Sequence, residues 1–381
     1  MEASIMELEN KIKMIKEQDP NSYKIFKSIF EVSSALGTMR FPRSFHEKAW
    51  KYFGIRESGK LVESQNETLN RLKNQRVINI YNRWTGEGSL FNSLRADRPG
   101  MKSEERDKEL SGVYDYISDK ASGCDFCQAE KYTPEDVFGR IRGKHCITGS
   151  NIAKYDAWSS IIFYKRHNPL EFSLSELSDY LETAGNWFEQ VFRQEPHYTH
   201  PFFVWNCLDK AGASQVHGHA QILMSKNRAY AKFEALKRAA RMYQDKTGKN
   251  YFQSIHLAHE AAGLTIEGDE IGIMASLTPL KEKELVIYSY NSPFDDNMIK
   301  KTIFWALRTY IDQLGVTSFN LSISCPSLNK DQEFPFVIKV VDRGNIFKST
   351  ADMGGMELYG STVIADDPYR VLNALKNNKI I

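Results

Sequence analysis

The chain has no uninterrupted apolar run of about eighteen residues, so no membrane-spanning helix is expected. Its first ten residues, Met1 to Asn10, lack the basic-then-apolar order of a secretory leader. Cysteine is scarce: five in 381 residues, an odd number that argues against a secreted disulfide framework and makes a reducing cytoplasm the expected compartment. Charge of one sign is also missing. A net charge of +2 offers neither a basic stripe for nucleic acid nor a polybasic membrane patch, so neither partner is expected. What is present, 41% hydrophobic and 26% charged residues, is the make-up of a soluble globular protein with length for one large or two modest domains.

Residues 1–75 read as a helical extension. Ile5, Leu8, Ile12 and Ile15 recur at helical spacing, as do Tyr23, Phe26, Ile29 and Phe30, with breaks at Pro20 and Gly37. From Arg76 the texture changes. Val77–Tyr81 and Ser159–Tyr164 are strand candidates, and residues 102–120 are charged and expected to be peripheral. Residues 174–193 predict an amphipathic helix with a capping box from Ser173 and Glu176. Strand-like segments at 202–205 and 222–224 follow, then a helix at 227–245. The second half repeats the texture: strands at 270–276 and 284–290, a helix at 296–314, and strands at 318–324 and 334–341. Strand–strand–helix–strand–strand thus occurs twice. This predicts an α+β fold of two related halves, 76–248 and 249–381, with a mainly antiparallel sheet and packed helices.

The densest chemistry lies between Asn206 and Gln221. Ala211-Gly-Ala-Ser214 is a small turn between two apolar strands, and His217-Gly-His219-Ala-Gln221 follows it. Three readings fit the histidine pair: polar loop residues, metal ligands, or a nucleophile. Histidines two apart on a strand share one face. Ser214 and Gln221 flank them with neutral hydrogen-bonding groups suited to the nonbridging oxygens of a phosphate, much as an oxyanion hole is. Cys124-Asp-Phe-Cys127 is, by itself, a redox pair, a zinc half-site or chance, with zinc leading in an intracellular chain.

Asn206, Ala-Gly-Ala-Ser214 and His217-x-His219-x-Gln221 together resemble the signature of the histidine-triad (HIT) superfamily, in its galactose-1-phosphate uridylyltransferase-like (GalT-like) branch. That branch includes ADP-glucose phosphorylase and diadenosine tetraphosphate phosphorylase. The segment Asn82 to Pro99, which ends Arg95-x-x-Arg98-Pro99, the Cys-x-x-Cys and Gly149-Ser-Asn151 are similar to further segments of the branch. Residues 1–75 have no counterpart there.

The resemblance implies two HIT-like halves, the first carrying nucleophile and metal and the second contributing to the substrate pocket. It makes His219 the nucleophile of a ping-pong nucleotidyltransferase, with a nucleotidyl-histidine intermediate. Ser214 and Gln221 would act beside it in catalysis. Asn206, Arg95, Arg98, Asn151 and Glu357 would bind substrate. Cys124, Cys127, His167 and His217 would hold a structural Zn²⁺. Gln221 cannot protonate a leaving group, which favours transfer over hydrolysis.

The implied substrates are a nucleotide sugar or dinucleotide with a phosphate or sugar-phosphate acceptor, and the branch allows a homodimer. A hexose-1-phosphate nucleotidylyltransferase is the first expectation. A nucleoside diphosphate-sugar or dinucleotide phosphorylase is the alternative, and a zinc-stabilised nucleotide-binding protein without turnover is a second. His256 and His259 are expected to be solvated or packed, Cys146, Cys207 and Cys325 to sit in the core, and Asp367 to cap a closing helix.

Overall fold

A computed structural model describes residues 4–57, 60–95, 106–266, 268, 271–329, 333–348 and 353–378, with the side chains of 57 and 106–111 outside that description. The chain opens with α1 (Leu8–Gln18), α2 (Pro20–Ile29), β1 (Phe30–Thr38), α3 (His46–Phe53), β2 (Arg56–Glu57), β3 (Lys60–Leu61), α4 (Gln65–Lys73), β4 (Asn74–Asn82) and β5 (Gly88–Phe91). The first half continues through α5 (Arg106–Asp119), α6 (Ala129–Tyr132), β6 (Cys146–Ser150), β7 (Trp158–Tyr164), α7 (Leu174–Gln194), β8 (Tyr198–Cys207), β9 (His219–Lys226), α8 (Ala231–Thr247) and α9 (Tyr251–Ala261). The remainder comprises β10 (Thr265–Ile266), β11 (Gly272–Ala275), β12 (Leu285–Ser289), α10 (Asn297–Arg308), β13 (Phe319–Ser324), β14 (Phe336–Asp342), α11 (Gly355–Tyr359), β15 (Thr362–Ile364) and α12 (Pro368–Asn377). Among the described residues no helix is long and apolar enough to cross a membrane.

A nine-stranded antiparallel sheet organises the molecule, in the order β10-β11-β12-β14-β13-β8-β9-β7-β6. The two halves meet where β8 pairs with β13, with Asn206 opposite Asn320 and Phe202 opposite Ser324. On either side of that seam the strand order is the same: β8-β9-β7-β6 one way and β13-β14-β12-β11 the other. The sequence predicts this repeat except for its first strand: Val77–Tyr81 lies in β4, outside this sheet, and β6 takes its place beside β7.

Alternation along the strands gives the sheet two unlike faces. One face carries Ile162, Phe203, Trp205, Ala220, Ile222, Leu321 and Ile323, all buried in a large core with α7 and α10. Helix α7 shows why. Its capping box forms as the sequence predicts, and Leu177, Tyr180, Leu181, Ala184, Trp187, Phe188 and Val191 all turn inward. Burying each large apolar side chain contributes about 1.5–3 kcal/mol. The Trp187 indole N–H is satisfied by Asp136 at 2.8 Å, and the same carboxylate accepts from Ser160 at 2.8 Å. The opposite face carries His219, Gln221, Asn206, Asn320, Ser322 and Lys339, which share one side by register. The polar chemistry is therefore gathered on the face that α7 and α10 leave uncovered.

Two expectations need correction. The N-terminal region is not helical throughout: Phe30–Thr38 forms a strand on β4, in a four-stranded sheet ordered β1-β4-β5-β15. Its sequence is short, polar and ambiguous, and the partner strand fixes its conformation. Helix α5, expected to be peripheral, buries Val113 and Ile117 in the main core.

Candidate active site

The cysteine and histidine side chains converge. His217 Nδ1 lies 3.5 Å from Cys124 Sγ, 3.4 Å from Cys127 Sγ and 3.1 Å from His167 Nδ1. His167 Nδ1 lies 3.4 Å from Cys127 Sγ, and all four ligand atoms are within 4.8 Å of one another. Both imidazoles are oriented from behind. His167 Nε2 donates to the Ile117 carbonyl at 3.1 Å, and His217 Nε2 donates to the Tyr164 carbonyl at 2.7 Å. With the protons on Nε2, both Nδ1 lone pairs face inward and cannot bond to each other. Burial lowers both histidine pKa values and keeps the rings neutral, His217 down to about 4. A tetrahedral zinc with bonds of roughly 2.0–2.3 Å sets its ligand atoms roughly 3.3–3.8 Å apart, so the donor set fits that ion.

His219 opens β9, opposite Phe163 of β7. Its Nδ1–H donates to the His217 carbonyl at 2.8 Å, which assigns the tautomer. Its Nε2 therefore carries a lone pair, with no hydrogen-bond partner among the described residues. Burial is the larger influence on this ring and lowers its pKa, while the bond to the carbonyl partly opposes that. Phe126, inside the Cys-x-x-Cys segment, packs edge-on against both rings, 5.3 Å from His219 and 5.9 Å from His217 between centroids. The cysteine–histidine cluster and His219 thus share one aromatic brace.

Gln221 sits two residues along β9, between Ile161 and Val204 of the flanking strands. Its Oε1 is buried without a partner. Its Nε2 also has none among the described residues, so the whole amide is uncommitted. Ser214 is exposed in the turn before His217. The turn itself is tightly wound: Gly212 has φ +91°, and Leu208 just before it has φ +66°. Gly218 is fixed by crowding, since a Cβ there would lie 2.7 Å from the Tyr164 ring. The approach that lets Tyr164 grip His217 excludes any side chain between the two histidines.

Asn206 is half-buried on β8. Its Oδ1 accepts from Asn320 Nδ2 at 2.7 Å, and Asn320 also donates to the Ala211 carbonyl at 2.9 Å. Arg343 donates to Asn320 Oδ1. Burial lowers the Arg343 pKa, and the charges of Glu357 and Asp342 oppose that. Glu357 is otherwise engaged by Lys281 at 2.9 Å. Asn151 follows β6, half-buried, with its backbone N–H on the Ser159 carbonyl. Arg95 ends a short turn after β5, so it belongs to the small sheet rather than to the strands around His219. Arg98 lies outside the described residues.

Three contributors were not visible in the sequence: Asn320, Arg343 and Tyr116. The Tyr116 hydroxyl of α5 donates to the Asp209 carboxylate at the start of the turn, and the neighbouring Ile117 carbonyl holds His167. Burial, and then Asp209, push the tyrosine up to about 12. His259 packs as expected, with Nδ1 on the Ile255 carbonyl and Nε2 accepting from the Leu277 N–H. Cys146, Cys207 and Cys325 are buried, and Asp367 caps α12.

Solved structures share this architecture. An ADP-glucose phosphorylase from Arabidopsis thaliana, crystallised with ADP-glucose, matches 77% of this chain and 96% of its own at 15% identity and a TM-score of 0.57. The fold is that of the galactose-1-phosphate uridylyltransferase-like branch. A GalT-like protein from Arabidopsis thaliana matches 69% of this chain and 94% of its own, at 15% identity and a TM-score of 0.54. A uridylyltransferase matches 64% and 87%, at 13% identity and a TM-score of 0.52. No family model and no curated protein matches the sequence. At these identities the likeness carries the fold. The activity has to be argued from the side chains.

Proposed function

We propose that this protein is a nucleotidyltransferase working by a ping-pong mechanism through a nucleotidyl-His219 intermediate. The observation that carries the reading is the state of His219. Its Nδ1–H is spent on the His217 carbonyl, leaving a partner-free Nε2 lone pair beside an uncommitted glutamine amide. In the first half-reaction Nε2 attacks the α-phosphorus of a nucleotide sugar. A P–N bond forms, the bridging P–O bond breaks, and a sugar 1-phosphate leaves with the electron pair. In the second, a phosphate oxygen of the acceptor attacks the same phosphorus and the P–N bond breaks.

Gln221 Nε2 and the Ser214 hydroxyl would donate to nonbridging oxygens as charge builds on them. Asn206 has an Nδ2 without a partner among the described residues, and Asn320 holds it in place. The departing phosphate is weakly basic and needs no strong acid, so glutamine suffices at position 221. Cys124, Cys127, His167 and His217 would hold Zn²⁺, which when bound fixes the origin of β9 and takes no chemical part. Asn151, Glu357, Arg95 and Arg98 remain candidates for contacts with the rest of the substrate.

The first choice of acceptor is a hexose 1-phosphate. A second reading keeps the first half-reaction and makes inorganic phosphate the acceptor, the activity named for one of the plant proteins that share the fold. Intact-mass analysis after incubation with UDP-glucose, ADP-glucose and a dinucleotide tests both. One nucleoside monophosphate added per chain, absent in His219→Ala and discharged by hexose 1-phosphate or by phosphate, is the expected result. Nucleotide binding without an adduct from any donor would mean a zinc-stabilised binding protein instead.

A further inference from the structure

The face of the sheet that carries His219 extends across the seam onto β13, β14, β12 and β11. There, under α8 and α9, it floors a cavity of about 360 Å³. Lys339 stands at its centre, opposite Ser322 of β13 and Val286 of β12. In strand order β14 occupies in the second half the place of β9 in the first. Lys339 and Val337 face the side that Gln221 and His219 face, so this half has a cavity and no nucleophile. Three strand spacings separate Lys339 from Gln221, roughly 14 Å. The apolar side chains Phe202 and Val204 of β8 lie on the face between them.

The lining specifies a chemistry. Phe202, Phe252, Tyr288 and Met274 give flat, apolar walls. The Lys339 ammonium has one hydrogen-bonding partner, Glu284 Oε1 at 3.3 Å, with Glu87 Oε1 farther off at 3.8 Å. An ammonium carries three N–H donors, so donor capacity remains beyond these carboxylates. The Ser322 and Ser324 hydroxyls also line the space and have no partners among the described residues. Glu87 supplies an acceptor on the same rim. Lys232 brings the charge of the lining to two positive and two negative groups. A net anion or cation therefore gains nothing from the cavity as a whole. A flat ring whose edge both gives and accepts hydrogen bonds uses the aromatic walls, the lysine, the serines and the carboxylate together.

We infer that this cavity is a second, non-catalytic binding site for a neutral planar heteroaromatic molecule, of the class of a purine base or its nucleoside. The volume suits one bicyclic ring with a pentose. The inference is independent of the transferase reading.

The test is calorimetric titration of adenosine into the full-length protein and three variants. Saturable binding to wild type and to His219→Ala with the same Kd is expected. Ser324→Leu, which fills the cavity, should weaken binding at least tenfold while leaving the melting temperature within a few degrees. Phe202→Ala, which removes a wall, should weaken it comparably and covers the case in which Ser324→Leu does not fold. No saturable binding to wild type at millimolar adenosine would overturn the assignment. So would an affinity unchanged in both cavity variants, or one lost in His219→Ala.

Discussion

Replacing Gln221 by methionine should make the free protein more stable and nearly abolish transfer. The structure gives both signs. The Gln221 side chain is buried on β9, its Oε1 finds no donor, and both flanking strands are in place. An unpaired buried acceptor costs about 1–3 kcal/mol, and an apolar side chain of similar volume and flexibility removes that cost. Some is returned to imperfect packing, so a net gain of about 1 kcal/mol is expected, a rise of only about 1–2 °C in Tm at this chain length. Catalysis moves the other way. Losing one donor to a developing phosphoryl charge costs about 2.7–4 kcal/mol, or 10²–10³ in rate.

The paired assays are urea unfolding of the free protein and the single-turnover rate of His219 nucleotidylation. A variant destabilised by more than 1 kcal/mol, or one that transfers at the wild-type rate, would refute the argument. The first result would mean that the amide is satisfied in solution, and the second that it does not touch the phosphate.

Three further outcomes follow from other parts of the molecule. Protein purified without chelator should contain about one zinc per chain, and Cys127→Ser should lose metal and several kcal/mol of stability together; less than half a zinc in wild type would count against the cluster. Tyr116→Phe removes an exposed hydrogen bond, so its melting temperature should barely move, whereas nucleotidylation should slow several-fold as the turn at Asp209 loosens; an unchanged rate would make that contact incidental. His259 is held down to about 4 by burial, so the folded state refuses a proton that the unfolded chain accepts below about 6.5. Its contribution to stability is complete above that pH and falls by up to about 1.4 kcal/mol per unit as pH drops toward 4. Urea midpoints at pH 7 and 5 should therefore differ less in His259→Gln than in wild type, and equal differences would contradict the assignment.

Chemistry carried by closely spaced residues was legible in the sequence, and chemistry assembled across it was not. The pairs His217/His219 and Cys124/Cys127 announce themselves, because a metal ligand set or a nucleophile strand needs those residue types within a few positions. Helix α7 was readable end to end, since its apolar stripe and capping box are local properties. Strand β1 is not legible locally, because nothing within it outweighs the helical spacing just before it, and the pairing that makes it a strand is to residues 74–82. Tyr116 and Asn320 were invisible for the same reason. They reach the site over sequence separations of 93 and 114 residues.

By itself the sequence determined the α+β class, the twofold repeat of its elements and the two closely spaced pairs, Cys124/Cys127 and His217/His219. These follow from periodicity and from motifs that short-range geometry constrains. The tertiary structure alone decided which face of the sheet stays open, which tautomer His219 adopts and what braces Asn206. Each depends on where a carbonyl, a ring or an amide arrives from a distant strand or helix, and that position is set by packing the whole core.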